Sequence, residues 1–90
     1  MKLDDSLSIP LKVMSRLVDD ETVLLDLKSG MYFGLDGVGR RIWESVSEGN
    51  NLGETAAIIA SEYEVDEARA ETDVIEFATE LVERGLLDEQ

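Results

Sequence analysis

Three carboxylates, Asp73, Glu76 and Glu80, stand three and four residues apart in the last third of the chain, a spacing that stacks them along one flank of a helix. In principle such a flank suits a metal ion or an acid/base pair. The polar side of an amphipathic helix gives the same spacing without any cleft to perturb a pKa, so a solvated face accounts for it. Histidine and cysteine are both absent, which removes the common zinc sites, thiolate chemistry, disulfides and the usual base of a nucleophilic triad. Asp5-Ser6-Leu7 matches the triplet on which small acidic carriers bear a phosphopantetheine arm. A carrier needs a helix ahead of that serine, and five residues do not make one. The chain is therefore expected not to be an enzyme and to use no metal or cofactor.

The remaining candidates are contacts rather than chemistry. Arg40-Arg41 is the one adjacent basic pair. Nucleic-acid readers bring several cations to one helix, so a surface ion pair to Glu44 is the expected role. Tyr32 and Phe33, with Phe77 far along the chain, are either core aromatics or one wall of a slot.

Ninety residues make one small domain with a thin core. The net charge of −13 is uneven: residues 1–41 carry six basic and seven acidic side chains, residues 42–90 two and fourteen. Such a surface repels phosphate backbones, so no nucleic acid is expected as a partner. No apolar run exceeds Ala56 to Ala60 and no signal sequence follows Met1, which argues against a membrane span and for the cytoplasm. Residues 1–10 read as a flexible amino terminus and residues 11–90 as a single domain.

Leu11 to Val18 alternates loosely, Thr22 to Leu27 is rich in Val and Leu, and Lys28-Ser29-Gly30 reads as a hairpin loop before a third strand, Met31 to Leu35. From Asp36 the period lengthens to that of helices. Asp36 can cap the first, with a stripe of Val38, Ile42 and Val46 beside Trp43, ending at Gly49-Asn50. Asn51 and Glu54 resemble a capping box for the second, which carries Ala56, Ile59, Ala60 and Tyr63. Asp66 can cap the third, whose stripe runs Ala70, Val74, Phe77, Ala78, Leu81 and Val82 to a stop at Gly85. The fold class is α+β: a winged-helix-like unit, a three-stranded antiparallel sheet followed by three helices. If the strands pair in chain order, the third is an edge with neither proline nor charge to protect it. Phe33→Pro is expected to remove a donor from that edge.

The stretches LLDLKSGMYFGLDGVGRRIWESVSEG, ETAAIIASEYEV and DVIEFATELVERGLL, in this order and spacing, resemble the PqqD-like family of peptide recognition domains over about residues 13–87. The matching features are Gly30 and Tyr32 in the hairpin, Leu35-Asp36, the Gly39 to Trp43 spacing, Tyr63-Glu64-Val65 and Gly85-Leu86-Leu87. Family members carry asparagine where Asp36 stands, and both residues cap helices. The resemblance implies that the leader of a ribosomally made precursor peptide adds a strand to the third strand. It implicates Met31, Tyr32, Phe33, Gly34 and Leu35 as the backbone edge, and Asp73, Val74, Phe77, Ala78 and Leu81 as the facing wall. It further implies a separate partner, either a leader peptidase or another peptide-modifying enzyme, with lasso-peptide pathways favoured for a free-standing chain and radical-SAM systems as the alternative. A DNA-binding regulator and a protein-docking adaptor share the architecture, and an exposed edge can also pair with its own copy in a homodimer.

Overall fold

The computed structural model describes residues 1–89. Three strands, β2 (Val13–Val18), β3 (Glu21–Asp26) and β4 (Tyr32–Leu35), form an antiparallel sheet in the order β2-β3-β4. Three helices follow, α1 (Gly37–Ser47), α2 (Leu52–Tyr63) and α3 (Glu67–Glu83). This is the expected α+β architecture, with strand and helix limits within a few residues of the periodicity reading. Alternation along β3 buries Thr22, Leu24 and Asp26 toward the helices. Leu24 joins Ile42, Trp43 and Val46 of α1, Leu52, Ala56 and Ile59 of α2, and Ala70, Val74, Ala78 and Leu81 of α3 in one core.

The helix limits follow local chemistry. Asn51 Oδ1 accepts from Glu54 N at 2.7 Å while Asn51 N donates to Glu54 Oε1 at 2.8 Å, the reciprocal box that starts α2. Past α3, Gly85 takes a φ of +75°, Leu86 N donates to Leu81 O and Gly85 N to Val82 O. That is the paired closure of a Schellman turn, sealed by buried Leu81 and Leu86. Asp36 and Asp66 hold the N-cap positions of α1 and α3, but neither side chain accepts a capping hydrogen bond. Tyr63 differs from its expected place as well: α2 buries Leu52, Thr55, Ala56 and Ile59, and Tyr63 is exposed.

Residues 1–10 depart from the expected loose terminus. β1 (Leu7–Ser8) pairs antiparallel with β5 (Asp88–Glu89), and Leu7 is buried. Leu3 O accepts from Gly53 N at 2.7 Å and Asp5 O from Leu52 N at 3.0 Å. The first turn of a helix has N–H groups with no partner inside the helix, and here the amino terminus supplies two acceptors to α2. No helix of the described residues is long and apolar enough to cross a membrane.

Candidate functional site

β4 is a margin of its sheet: β3 pairs with one side, and among the described residues no strand pairs with the other. The register sets Leu25 against Tyr32, Leu24 against Phe33, Val23 against Gly34 and Thr22 against Leu35. One further step along, Asp26 N donates to Met31 O at 3.0 Å. Hydrogen-bonded pairs alternate in an antiparallel ladder, so Phe33 and Leu35 turn their backbone groups toward β3 while Tyr32 and Gly34 turn theirs outward. This corrects the expectation for Phe33→Pro: its N–H belongs to the β3–β4 ladder, and the outward donors are those of Tyr32 and Gly34. Met31 lies before the strand, in the turn, with its N–H toward Ser29 Oγ.

The turn is built by Asp26. Its Oδ1 accepts from Lys28 N at 2.9 Å and Ser29 N at 3.3 Å, its carbonyl accepts from Gly30 N, and its Oδ2 lies 3.4 Å from Lys12 Nζ. Burial alone would raise this carboxyl, but the Lys28 and Ser29 N–H groups and the Lys12 ammonium together hold it below the usual value. Asp26 thus fixes where β4 begins. The Asp-x-x-Ser-Gly pattern of an Asx turn is the sequence signal that points to it.

A groove runs between β4 and the helices as two adjoining depressions of about 350 and 400 Å³. The first is lined by Gly34, Leu35, Asp36, Val38, Gly39, Ile42, Asp73 and Phe77; the second by Tyr32, Phe33, Gly34, Leu35, Phe77, Glu80, Leu81 and Arg84. Phe77, common to both, stands where they meet. Of the expected wall, Asp73, Phe77 and Leu81 line the groove, whereas Val74 and Ala78 have no exposed surface and lie in the core behind it. Sequence reasoning missed Asp36, Val38, Gly39 and Ile42 on the α1 side, Glu80 on α3 and Arg84 at its C-cap. The last two continue the i, i+3, i+4 series from Asp73 and Phe77, a pattern that was available. The Arg84 guanidinium lies 5.7 Å from the centre of the Phe33 ring and 2.9 Å from Glu80 Oε1.

The basic pair on α1 is structural. Arg40 pairs with Glu44 as expected. Arg41 also lies 3.9 Å from Glu44, and in addition it crosses to α2, where Nε and Nη2 meet the two oxygens of Glu62 at 2.9 and 3.1 Å. That fork holds the Glu62 carboxyl below its usual range. Among the described residues, no cluster of acidic side chains is arranged to hold a metal ion.

A winged-helix-like α+β unit whose third sheet strand, β4, leaves one side free beside its third helix is the class of protein these features define. The profile of the family described as coenzyme PQQ synthesis protein D (PqqD) matches residues 21–87, and this chain belongs to the PqqD family. Two solved structures are similar to it. TbiB1 in complex with the TbiA(beta) leader peptide is 44% identical, with a TM-score of 0.84 over 89% of this chain and 93% of that one. A lasso peptide synthetase B1 complexed with the leader peptide is 29% identical, with a TM-score of 0.86 over 91% of this chain and 96% of that one. A search of curated proteins gave no significant match.

Proposed function

We propose that this chain binds the leader segment of a ribosomally synthesised precursor peptide by strand addition at β4 and presents it to a separate leader peptidase or other modifying enzyme, in lasso-peptide biosynthesis. The observation that carries the reading is the unpaired margin of β4 lying against an apolar slot. Main-chain hydrogen bonds to Tyr32 and Gly34 supply affinity, and the depressions on either side of Phe77 take alternate side chains of the guest. Asp36 and Asp73 on the rim favour a guest bearing Lys or Arg. The chain performs no bond chemistry itself; its product is a positioned peptide. The two leader-peptide complexes among its structural relatives support this reading.

Isothermal titration with the TbiA(beta) leader peptide, followed by amide-shift mapping, tests it. Saturable binding with the largest shifts at Tyr32–Leu35 and from Asp73 of α3 to Arg84 at its C-cap is the expected result. Shifts confined to another face would move the site, and binding to duplex DNA in place of the peptide would restore the regulator reading.

A further inference from the structure

Gly39 is the third residue of α1, and its φ lies outside the left-handed region that calls for glycine. At such a position alanine normally stabilises, because glycine leaves the unfolded chain more freedom to lose. The groove supplies a reason for the bare backbone. A Cβ placed on Gly39 would lie 3.1 Å from Phe77 Cζ and 3.2 Å from Cε1, inside the roughly 3.5–4.0 Å of ordinary carbon contacts. The Phe77 ring therefore leans so closely on α1 that any side chain at position 39 would make it give way by a few tenths of an ångström. Behind that ring α3 is fully packed, with Val74 and Ala78 at zero exposure. The unfilled space beside it is the groove, toward Gly34 and Leu35.

We propose that Gly39 sets the width of the groove: by letting Phe77 lie back against α1, it holds open the slot in which a guest side chain seats. Gly39 is thus a positioning residue that acts through Phe77 and determines how large a side chain the slot admits. The inference rests on the peptide-binding reading of the same groove. A methyl group at position 39 pushes the ring a few tenths of an ångström toward the slot, and overpacking of this kind is paid in binding rather than in folding, because the free protein has empty space to receive the ring.

The test is a titration of four proteins with the TbiA(beta) leader peptide: wild type, Gly39→Ala, Phe77→Leu and the double variant, with buried Trp43 reporting the fold. Gly39→Ala is expected to melt at the same or a higher temperature and to bind roughly ten- to a hundredfold more weakly, the scale of overpacking at a fitted contact. In the Phe77→Leu background, the same alanine should change affinity less than about twofold, the non-additivity of a pair in contact. Wild-type affinity in Gly39→Ala overturns the proposal, as does an equal loss in both backgrounds or a Gly39→Ala protein that fails to fold. If the wild-type protein ignores the peptide, the peptide-binding reading itself falls, and the width proposal with it.

Discussion

β2 and β4 are the two margins of one sheet, each with outward backbone groups that β3 leaves unpaired, yet their surroundings differ. On β2 alternation turns Val13, Ser15 and Leu17 toward the helix side; Val13 at the strand's start is buried in the core, but Ser15 and Leu17 beyond it are exposed, Leu17 by 62%. Nothing stands over Ser15 and Leu17, and Arg16 brings a charge to the middle of the strand. On β4 the equivalent residues, Phe33 and Leu35, are half-buried and buried beside Phe77 and Leu81. A free margin offers hydrogen bonds to any extended chain; selection requires a second element close enough to read side chains. Only β4 has both.

Proline separates the two margins most sharply. By the alternation of the ladders, Tyr32 on β4 and Ser15 on β2 both point their N–H groups away from β3, so proline at either spares the sheet's own hydrogen bonds. Tyr32→Pro should weaken leader binding by roughly a hundredfold through the lost donor and the ring set in the guest's path, whereas Ser15→Pro should leave it within about twofold. Titration of both variants decides the point, and the reverse order would place the guest on β2.

What was legible in the sequence follows the range of the interactions. Asn51 with Glu54, and Gly85 before Leu86, act over a few residues, and their types alone announce them. The open margin of β4 was legible too, because the short loops force strand order and Met31 to Leu35 lack any protecting charge. The strap from Leu3 to Leu7 was not: its partners are Gly53, Leu52 and Glu89, and no local pattern marks a strand of two residues. Val38, Gly39 and Ile42 were read only as a helix stripe, because their approach to Phe77 depends on how α1 and α3 pack. Val74 and Ala78 erred in the opposite sense. They share the helix with Phe77, but periodicity does not tell which side of an apolar stripe faces the core and which faces a groove.

Asp26 ties the margins together, through its turn to β4 and through Lys12 to the start of β2, so it tests how far the slot depends on the hairpin. Asp26→Ala strands the Lys28 and Ser29 N–H groups and should lower the melting temperature by roughly 5–10 °C, with a further loss of leader affinity. Asp26→Asn keeps an oxygen for the turn and gives up only the ammonium pairing. It should fall between wild type and alanine in thermal melts, and equal losses would mean that the Lys12 pair, not the turn, matters.

The same carboxylate sets an acid dependence. Its pKa is lowered in the folded state, so its contribution is fully present above the unfolded carboxylate value of about 4 and is lost as pH falls through the folded value. Glu62, lowered by Arg41, acts in the same direction. Denaturant midpoints should therefore drop below about pH 4, with a shallower drop in Asp26→Asn. An unchanged slope in that variant would assign the acid sensitivity to Glu62 and other carboxylates instead.

The smallest expected effect concerns charge around the groove. Asp36 and Asp73 border the depression on the α1 side, while Arg84 stands at the other and is itself paired with Glu80. A guest with a cation at the α1 end therefore meets Asp36 and an exposed Asp73 whose carboxylate lies 3.7 Å from Arg69 outside the depression, and an anion at the far end meets an arginine paired at 2.9 Å with Glu80. Exposed charges are screened over about 8–10 Å at physiological salt, so the field steers and weakly favours a cationic guest. Affinity for a leader bearing Lys at the α1 end should fall about two- to fivefold between roughly 0.05 and 0.5 M salt. Asp73→Asn should remove most of that slope while leaving the high-salt affinity unchanged, since the apolar floor and the β4 amides remain. A slope that persists in Asp73→Asn would shift the electrostatics to the acidic turn Asp19-Asp20-Glu21, which adjoins Asp36 at the β2–β3 end, and would make the guest's charge a contact with both margins of the sheet rather than with the β4 groove.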